Sequence, residues 1–305
     1  MAMEKTFYSN GKLLITGEYL VLDGAKALAL STKFGQYLTV SPCKNQEIHW
    51  TSFDKDKTIW FQETISFSEI IKFKKLENQP VKATLIKILH EAYLLKPEFL
   101  NSSEGYTIST NLTFPKFWGL GTSSTLINNI AQWLEINAFE LLKNSFGGSG
   151  YDIACAQNDS PIFYQIIDGK PEVEIVNFNP DFSDNMYFVY LNQKQNSKSA
   201  IDSYYKKQNN FNAVLPEINK ITVEITEAIP LEKFQELLQK HENIMSEILE
   251  IPPVKNNLFS DFNGTVKSLG AWGGDFVLVV SNENPTAYFK AKGFETIISY
   301  SDMIL

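Results

Sequence analysis

Between an alternating segment at Gly105–Phe114 and an amphipathic one beginning at Thr122, the chain reads Pro115-Lys116-Phe117-Trp118-Gly119-Leu120-Gly121-Thr122-Ser123-Ser124. Tyr106, Ile108, Leu112 and Phe114 share one face of a strand, because strand side chains alternate. Leu126, Ile127, Ile130, Trp133 and Leu134 recur at helical spacing and form an apolar stripe. A glycine-rich loop joining a strand to a helix has a definite physical use. Glycine lets backbone approach a ligand closely, and the unpaired amides of a helix N-terminus attract phosphate. Hydroxyls placed there can also reach a magnesium ion, although Thr122–Ser124 would equally serve as an ordinary helix cap. The segment is not a Walker A loop, since no Gly-Lys-Ser/Thr follows at the required spacing.

The flanking sequence mixes the two periodicities. Gly11–Val21 reads as strand material turning at Asp23-Gly24 into a hairpin. Further strands are expected at 36–40, 47–51, 162–167, 173–176 and 276–280, and helices at 82–94, from near 153, at 215–228 and at 231–250. The polar stretch 193–212 reads as a loop. With 305 residues, 44% of them hydrophobic, the chain can fill two ordinary domains, and the turn Asp168-Gly169 divides it into 1–168 and 169–305.

Charge narrows the function classes. The formal net charge of −8 argues against broad binding to nucleic acid or anionic lipid. All 27 basic residues are lysine, so an anionic ligand must be held by lysine, backbone amides or metal rather than by a guanidinium fork. Cys43 and Cys155 are too few for a disulfide framework or thiolate zinc site and fit a reducing cytoplasm. No apolar run is long enough to span a bilayer, and the N-terminus does not read as a signal peptide.

Two further glycine-rich segments carry candidate groups. Lys12 could present an ammonium to an anionic substrate, although a lone lysine is usually just solvated. Asp152 follows Gly147-Gly148-Ser149-Gly150-Tyr151 and precedes a helix, where it could orient or deprotonate a hydroxyl, or simply cap the helix. Gly270-Ala271-Trp272-Gly273-Gly274-Asp275 leads into the apolar strand 276–280 and could be no more than a tight turn.

In order and sequence these segments resemble the motifs of the GHMP kinases, the group that includes galactokinase, homoserine kinase, mevalonate kinase and phosphomevalonate kinase. Ser9–Tyr19 is similar to the first motif, Pro115–Ser124 to the ATP-phosphate loop and Gly270–Asp275 to the C-terminal glycine motif. Gly17-Glu18-Tyr19, Gly148–Asp152 and Gly273-Gly274-Asp275 are most like the phosphomevalonate kinase branch. The resemblance implies an α+β architecture, with an N-terminal domain like domain 2 of ribosomal protein S5, a ferredoxin-like C-terminal domain, and an active site between them.

It also implies MgATP as phosphoryl donor, a small-molecule acid of the mevalonate pathway as acceptor with phosphomevalonate foremost, and a monomer or homodimer. By this resemblance Gly119, Leu120, Gly121, Thr122, Ser123 and Ser124 wrap the ATP phosphates, Ser123 binds magnesium, and Asp152 and Lys12 are catalytic. Glu18, Tyr19, Ser149, Lys194, Ser197, Ser199, Gly273 and Gly274 fall on the substrate side. Mevalonate kinase and a noncatalytic nucleotide-binding relative are the alternatives. Two departures bear on them. Trp272 stands where a small residue is usual, so it either narrows the loop or packs on a ligand, and the magnesium-binding glutamate of mevalonate kinases has no match upstream of Asp152, Glu140 being offset.

Overall fold

The computed structural model describes residues 4–74, 79–194, 201, 204–206 and 211–305. The chain forms two compact units interleaved along the sequence, one of residues 1–11, 34–116 and 120–157 and one of residues 12–33, 117–119 and 158–305. The second unit thus takes residues 12–33 and 117–119 from the N-terminal half, and its last segment starts at 158, eleven residues before the 169 expected from the turn. Strands β1 (Lys5–Leu14) and β2 (Ala27–Pro42) each pass from one unit into the other, and they pair with each other.

In the first unit, the C-terminal half of β2 pairs antiparallel with β5 (Tyr106–Leu112). β5 runs parallel to β3 (Glu47–Phe53), which pairs antiparallel with β4 (Ile59–Ser66). Alternation sets the faces, with Ile48 and Trp50 of β3 and Ile108 and Leu112 of β5 all buried. Six helices follow the strands in various places: α1 (Phe67–Lys72), α2 (Pro80–Leu95), α3 (Glu98–Asn101), α4 (Thr122–Leu134), α5 (Ala138–Ser145) and α6 (Tyr151–Gln157). α1 starts where the sequence S-x-x-E supplies a capping box, the Ser66 hydroxyl accepting from the Glu69 amide and the Glu69 carboxylate from the Ser66 amide. Leu85, Ile88 and Leu89 of α2 and Ile127, Ile130 and Leu134 of α4 enter one core with the strand residues.

In the second unit, the N-terminal half of β2 pairs with β6 (Ile162–Ile167), which carries β7 (Lys170–Ile175) on its other edge. The remainder runs β8 (Met186–Tyr190), α7 (Leu215–Glu224), α8 (Leu231–Leu249), α9 (Val254–Leu258), β9 (Thr265–Ser268), β10 (Phe276–Val280), α10 (Thr286–Ala291), β11 (Ile297–Ser299) and α11 (Tyr300–Met303). These four strands pair antiparallel in the order β11-β8-β10-β9. A β-α-β-β-α-β path with that strand order is the ferredoxin-like arrangement.

The hairpin expected over 11–24 is corrected in detail. β1 does pair with β2, but it ends at Leu14, and Leu20–Asp23 is a 3-10 turn closed by Gly24 at φ 89°. The strand cannot continue because Gly17 (φ 82°) and Tyr19 (φ 59°) both have positive φ. A Cβ on Gly17 would lie 2.8 Å from the Ala27 Cβ, so glycine is required there by space as well as by torsion.

Candidate active site

The N-terminus of α4 is built as the sequence predicts. Gly121, at φ 98°, occupies the cap position and no side chain caps the helix, so the amides of its first turn are left for another partner. The three hydroxyls that follow are not equivalent. Ser124 is buried and its Oγ donates to the Gly121 carbonyl at 2.9 Å, which turns the side chain back onto its own helix. Thr122 and Ser123 are half-buried, and among the described residues no protein group claims either hydroxyl. α4 packs against α6, where the Asn128 amide donates to the Ala156 carbonyl at 3.4 Å and accepts from Gln157 at 3.0 Å. α6 begins after left-handed Gly147, Gly148 and Gly150. Asp152 lies in its first turn, with Oδ1 accepting from the Ile153 amide at 3.1 Å. Ser149 precedes it, half-buried.

The other part of the glycine loop, Phe117–Gly119, belongs to the second unit. The Tyr190 hydroxyl donates to the Phe117 carbonyl at 3.0 Å, and the Trp118 ring stands edge-on to Phe276 at 5.4 Å. A Cβ on Gly119 would come within 2.3 Å of the Asp275 carboxylate, so glycine at 119 is what lets the loop approach the last residue of the third glycine-rich segment. Asp275 itself is left-handed at φ 52° and continues the backbone pairing, accepting from the Leu191 amide at 2.8 Å. Lys194 extends its ammonium over the Phe117 ring at 5.7 Å.

The same unit contains a buried charged cluster. The Lys267 ammonium donates to the Glu18 carboxylate and, at 2.8 Å, to the Ser268 carbonyl. Glu242 Oε2 is 4.0 Å from that ammonium, and the Glu242 carboxylate accepts from the Ser268 hydroxyl at 2.7 Å and the Ser268 amide at 3.1 Å. His241 Nε2 accepts from the Gly17 amide at 3.0 Å and lies 3.4 Å from Glu18 Oε2. None of the four side chains is more than 1% exposed. Burial pushes the Glu18 carboxyl up to about 7 against the opposing pull of Lys267. Burial likewise raises Glu242, again opposed by Lys267. Burial and the Lys267 charge hold His241 well below its ordinary value, so the imidazole is neutral.

No family model matches the chain, and no curated protein matches its sequence. Solved structures do match its fold over nearly the whole length. The Methanococcus jannaschii mevalonate kinase superposes with a TM-score of 0.70 at 16% identity, covering 97% of this chain and 96% of that one. The Streptococcus pneumoniae phosphomevalonate kinase in complex with phosphomevalonate and AMPPNP gives 0.69 at 16%, covering 99% and 98%. The Lactococcus lactis galactokinase complexed with galactose gives 0.67 at 13%, covering 95% and 88%. The chain has the GHMP kinase fold.

Within that GHMP fold, the residues singled out from sequence divide between the units. Leu120–Ser124, Ser149 and Asp152 lie in the first, and Lys12, Glu18, Tyr19, Gly119, Lys194, Gly273 and Gly274 in the second. Lys12 is half-buried on β1, Gly273 is exposed at φ 89°, and Gly274 is buried. Ser197 and Ser199 lie outside the described residues. Glu18, expected on the substrate side, is buried, and its carboxylate pairs with Lys267 inside the second unit. Tyr19, next to it, is half-buried with its ring 5.4 Å from that of Tyr204. Trp272 is corrected, since the indole packs into a core cluster with Leu20, Ala25, Tyr204, Met245, Ile248 and Leu249.

Sequence reasoning missed His241, Glu242 and Lys267, although a signal for the first existed. His241 takes the apolar position between Leu237 and Met245 on the inward stripe of α8, all three being buried. Among the described residues no group of three His, Cys, Asp or Glu side chains is arranged to hold a metal. Magnesium carried on nucleotide phosphates asks for only one or two protein ligands. Ser123 and Asp152 are residues of the right type. Glu140 is exposed at the start of α5. Among the described residues, no helix is long and apolar enough to cross a membrane.

Proposed function

We propose that this chain is an ATP-dependent phosphotransferase acting on a small-molecule acid, with phosphomevalonate as the acceptor. The observation that carries the reading is the start of α4. An uncapped helix N-terminus with left-handed Gly121, followed by two hydroxyls that no protein group claims, is a ready anion site. On this reading the amides of Thr122–Ser124 bind the ATP phosphates, and the hydroxyl of Ser123 holds magnesium. When bound, that ion offsets negative charge on the transferred phosphoryl group. Asp152 orients the acceptor hydroxyl and receives its proton, while Lys12 balances charge on the acceptor.

The structural relatives include kinases of mevalonate, phosphomevalonate and galactose. The choice of acceptor is therefore argued from this chain's own residues. Gly17-Glu18-Tyr19 and Gly273-Gly274-Asp275 resemble the phosphomevalonate branch. Lys194 adds an ammonium that can hold a second anionic group. The Trp272 indole, packed in the core, is no ground for a noncatalytic reading. The test is ADP formation from MgATP with phosphomevalonate, mevalonate, homoserine and galactose in parallel. Phosphomevalonate is expected to give the highest kcat/KM. Faster turnover of mevalonate would replace the acceptor and keep the kinase, and absence of turnover with every acceptor would overturn the kinase reading.

A further inference from the structure

The turn Thr16-Gly17-Glu18-Tyr19 is costly to hold. Two of its four residues have positive φ, and Tyr19, at φ 59° and ψ −49°, sits in a sparsely populated region that costs roughly 1–3 kcal/mol. Its local backbone bonds run from Leu20 to the Glu18 carbonyl at 2.6 Å, Val21 to the Gly17 carbonyl at 2.9 Å and Leu22 to the Tyr19 carbonyl at 2.8 Å, and on β2 the Leu28 amide donates to the Thr16 hydroxyl at 3.1 Å. Three distant elements grip it as well. α7 supplies Thr222, whose hydroxyl donates to the Thr16 hydroxyl at 2.9 Å. β9 supplies Lys267 for the Glu18 carboxylate, and α8 supplies His241 for the Gly17 amide. Burying charges and imidazoles to secure one short turn is expensive where apolar packing would suffice for folding alone.

From these contacts we infer that His241 is a positioning residue. By accepting the Gly17 N–H at Nε2 it fixes the turn that presents Tyr19, and so sets acceptor binding without touching the acceptor. The inference rests on the proposed kinase reading only in its final step. Two consequences follow from the geometry. Because Nε2 accepts from Gly17, the single proton of the neutral ring is on Nδ1. Glutamine, whose side-chain oxygen reaches about as far as Nε2, should substitute for His241, whereas leucine should not.

The chain has three histidines, so 15N-histidine labelling of the intact wild-type protein resolves the tautomer directly. His90, whose Nδ1 faces the Ile70 carbonyl at 2.8 Å, gives its own Nδ1–H signal. The expected result for His241 is a second imidazole fixed as the Nδ1–H form from pH 6 to 8 and lost from the spectrum of His241→Gln. A proton on Nε2 of His241 would overturn the inference, and this arm needs neither a folded leucine variant nor activity. His241→Leu is expected to speed amide exchange in segment 15–22 about ten-fold and raise the acceptor KM about ten-fold, the scale of one lost hydrogen bond. The ATP KM should stay within about two-fold, and His241→Gln should restore both quantities. Unchanged exchange in 15–22, or equal loss for ATP and acceptor, would refute positioning. Should wild type turn over no acceptor, the kinase reading falls, while the tautomer and exchange results still decide the role of His241.

Discussion

Replacing Lys267 by methionine tests the buried cluster most directly. The side chain is fully buried, and its ammonium is the one positive charge within 4.0 Å of both Glu18 and Glu242 among the described residues. Methionine nearly preserves volume, so the loss is electrostatic: two carboxyls remain buried without a counter-ion, and removing one partner of such a pair typically costs about 3–5 kcal/mol. The pH dependence distinguishes this from a packing defect. The Glu18 carboxyl rises from 4.5 to about 7 on folding, so between these values the native state holds a proton that the unfolded chain has released. Stability from this group is therefore present below 4.5 and lost as pH rises toward 7, by about 3 kcal/mol over the window.

His241, depressed on folding, has the opposite slope, losing stability as pH falls below 6.5. In wild type the two partly offset each other. In Lys267→Met the deficit should be largest near pH 8.5 and shrink toward pH 5, where either carboxyl, or His241 beside Glu18, can take a proton. Urea unfolding at pH 5, 7 and 8.5, with amide exchange in residues 231–249 reporting on the second unit, measures it. A deficit below about 1 kcal/mol at pH 8.5, or one that does not change with pH, would refute the electrostatic account.

Asp152→Asn should lower kcat by about 100-fold or more while leaving ATP binding and thermal stability near wild type, because size is kept and a charge is lost; wild-type turnover would reject the catalytic role. Ser123→Ala should weaken magnesium-dependent use of ATP, whereas Ser124→Ala should cost about 1 kcal/mol of stability without altering magnesium dependence, since its hydroxyl serves the Gly121 carbonyl. Identical magnesium titrations for Ser123→Ala and wild type would leave Ser123 without a metal role. Lys194→Ala should cut kcat/KM for phosphomevalonate about ten-fold and spare mevalonate, the scale of one charge-assisted contact. Equal effects on both acceptors would show that Lys194 does not hold the extra phosphate.

Much of the fold was legible because periodicity survived in the sequence. The stripe of α4 and the apolar run of β10 could be placed to within a residue or two. α8, expected at 231–250, runs Leu231–Leu249. What failed were places where local pattern and tertiary pairing part company. Tyr19–Leu22 is apolar enough for a strand, yet Gly17 and Tyr19, both at positive φ, curl it into a 3-10 turn. β9 has four residues, one of them Lys267, so nothing in Thr265–Ser268 announces a buried strand until its pairing with β10 is known.

The same division runs through the candidate site. The loop at Gly119–Ser124 was readable because its chemistry is local: glycine torsions, a helix start and adjacent hydroxyls all lie within six residues. The burial of Glu18 was not readable because its partner is 249 positions away, and a glutamate in a glycine-rich turn reads as exposed until that partner is known. Once the cluster is assembled, its charge balance follows from counting groups. Two carboxylates face one ammonium, and an imidazole that accepts from a backbone amide stays neutral. The set is thus one proton short of neutrality, and a medium with no water to solvate the surplus charge raises the affinity for that proton. The elevated Glu18 carboxyl expresses that deficit, and the Lys267 ammonium limits it.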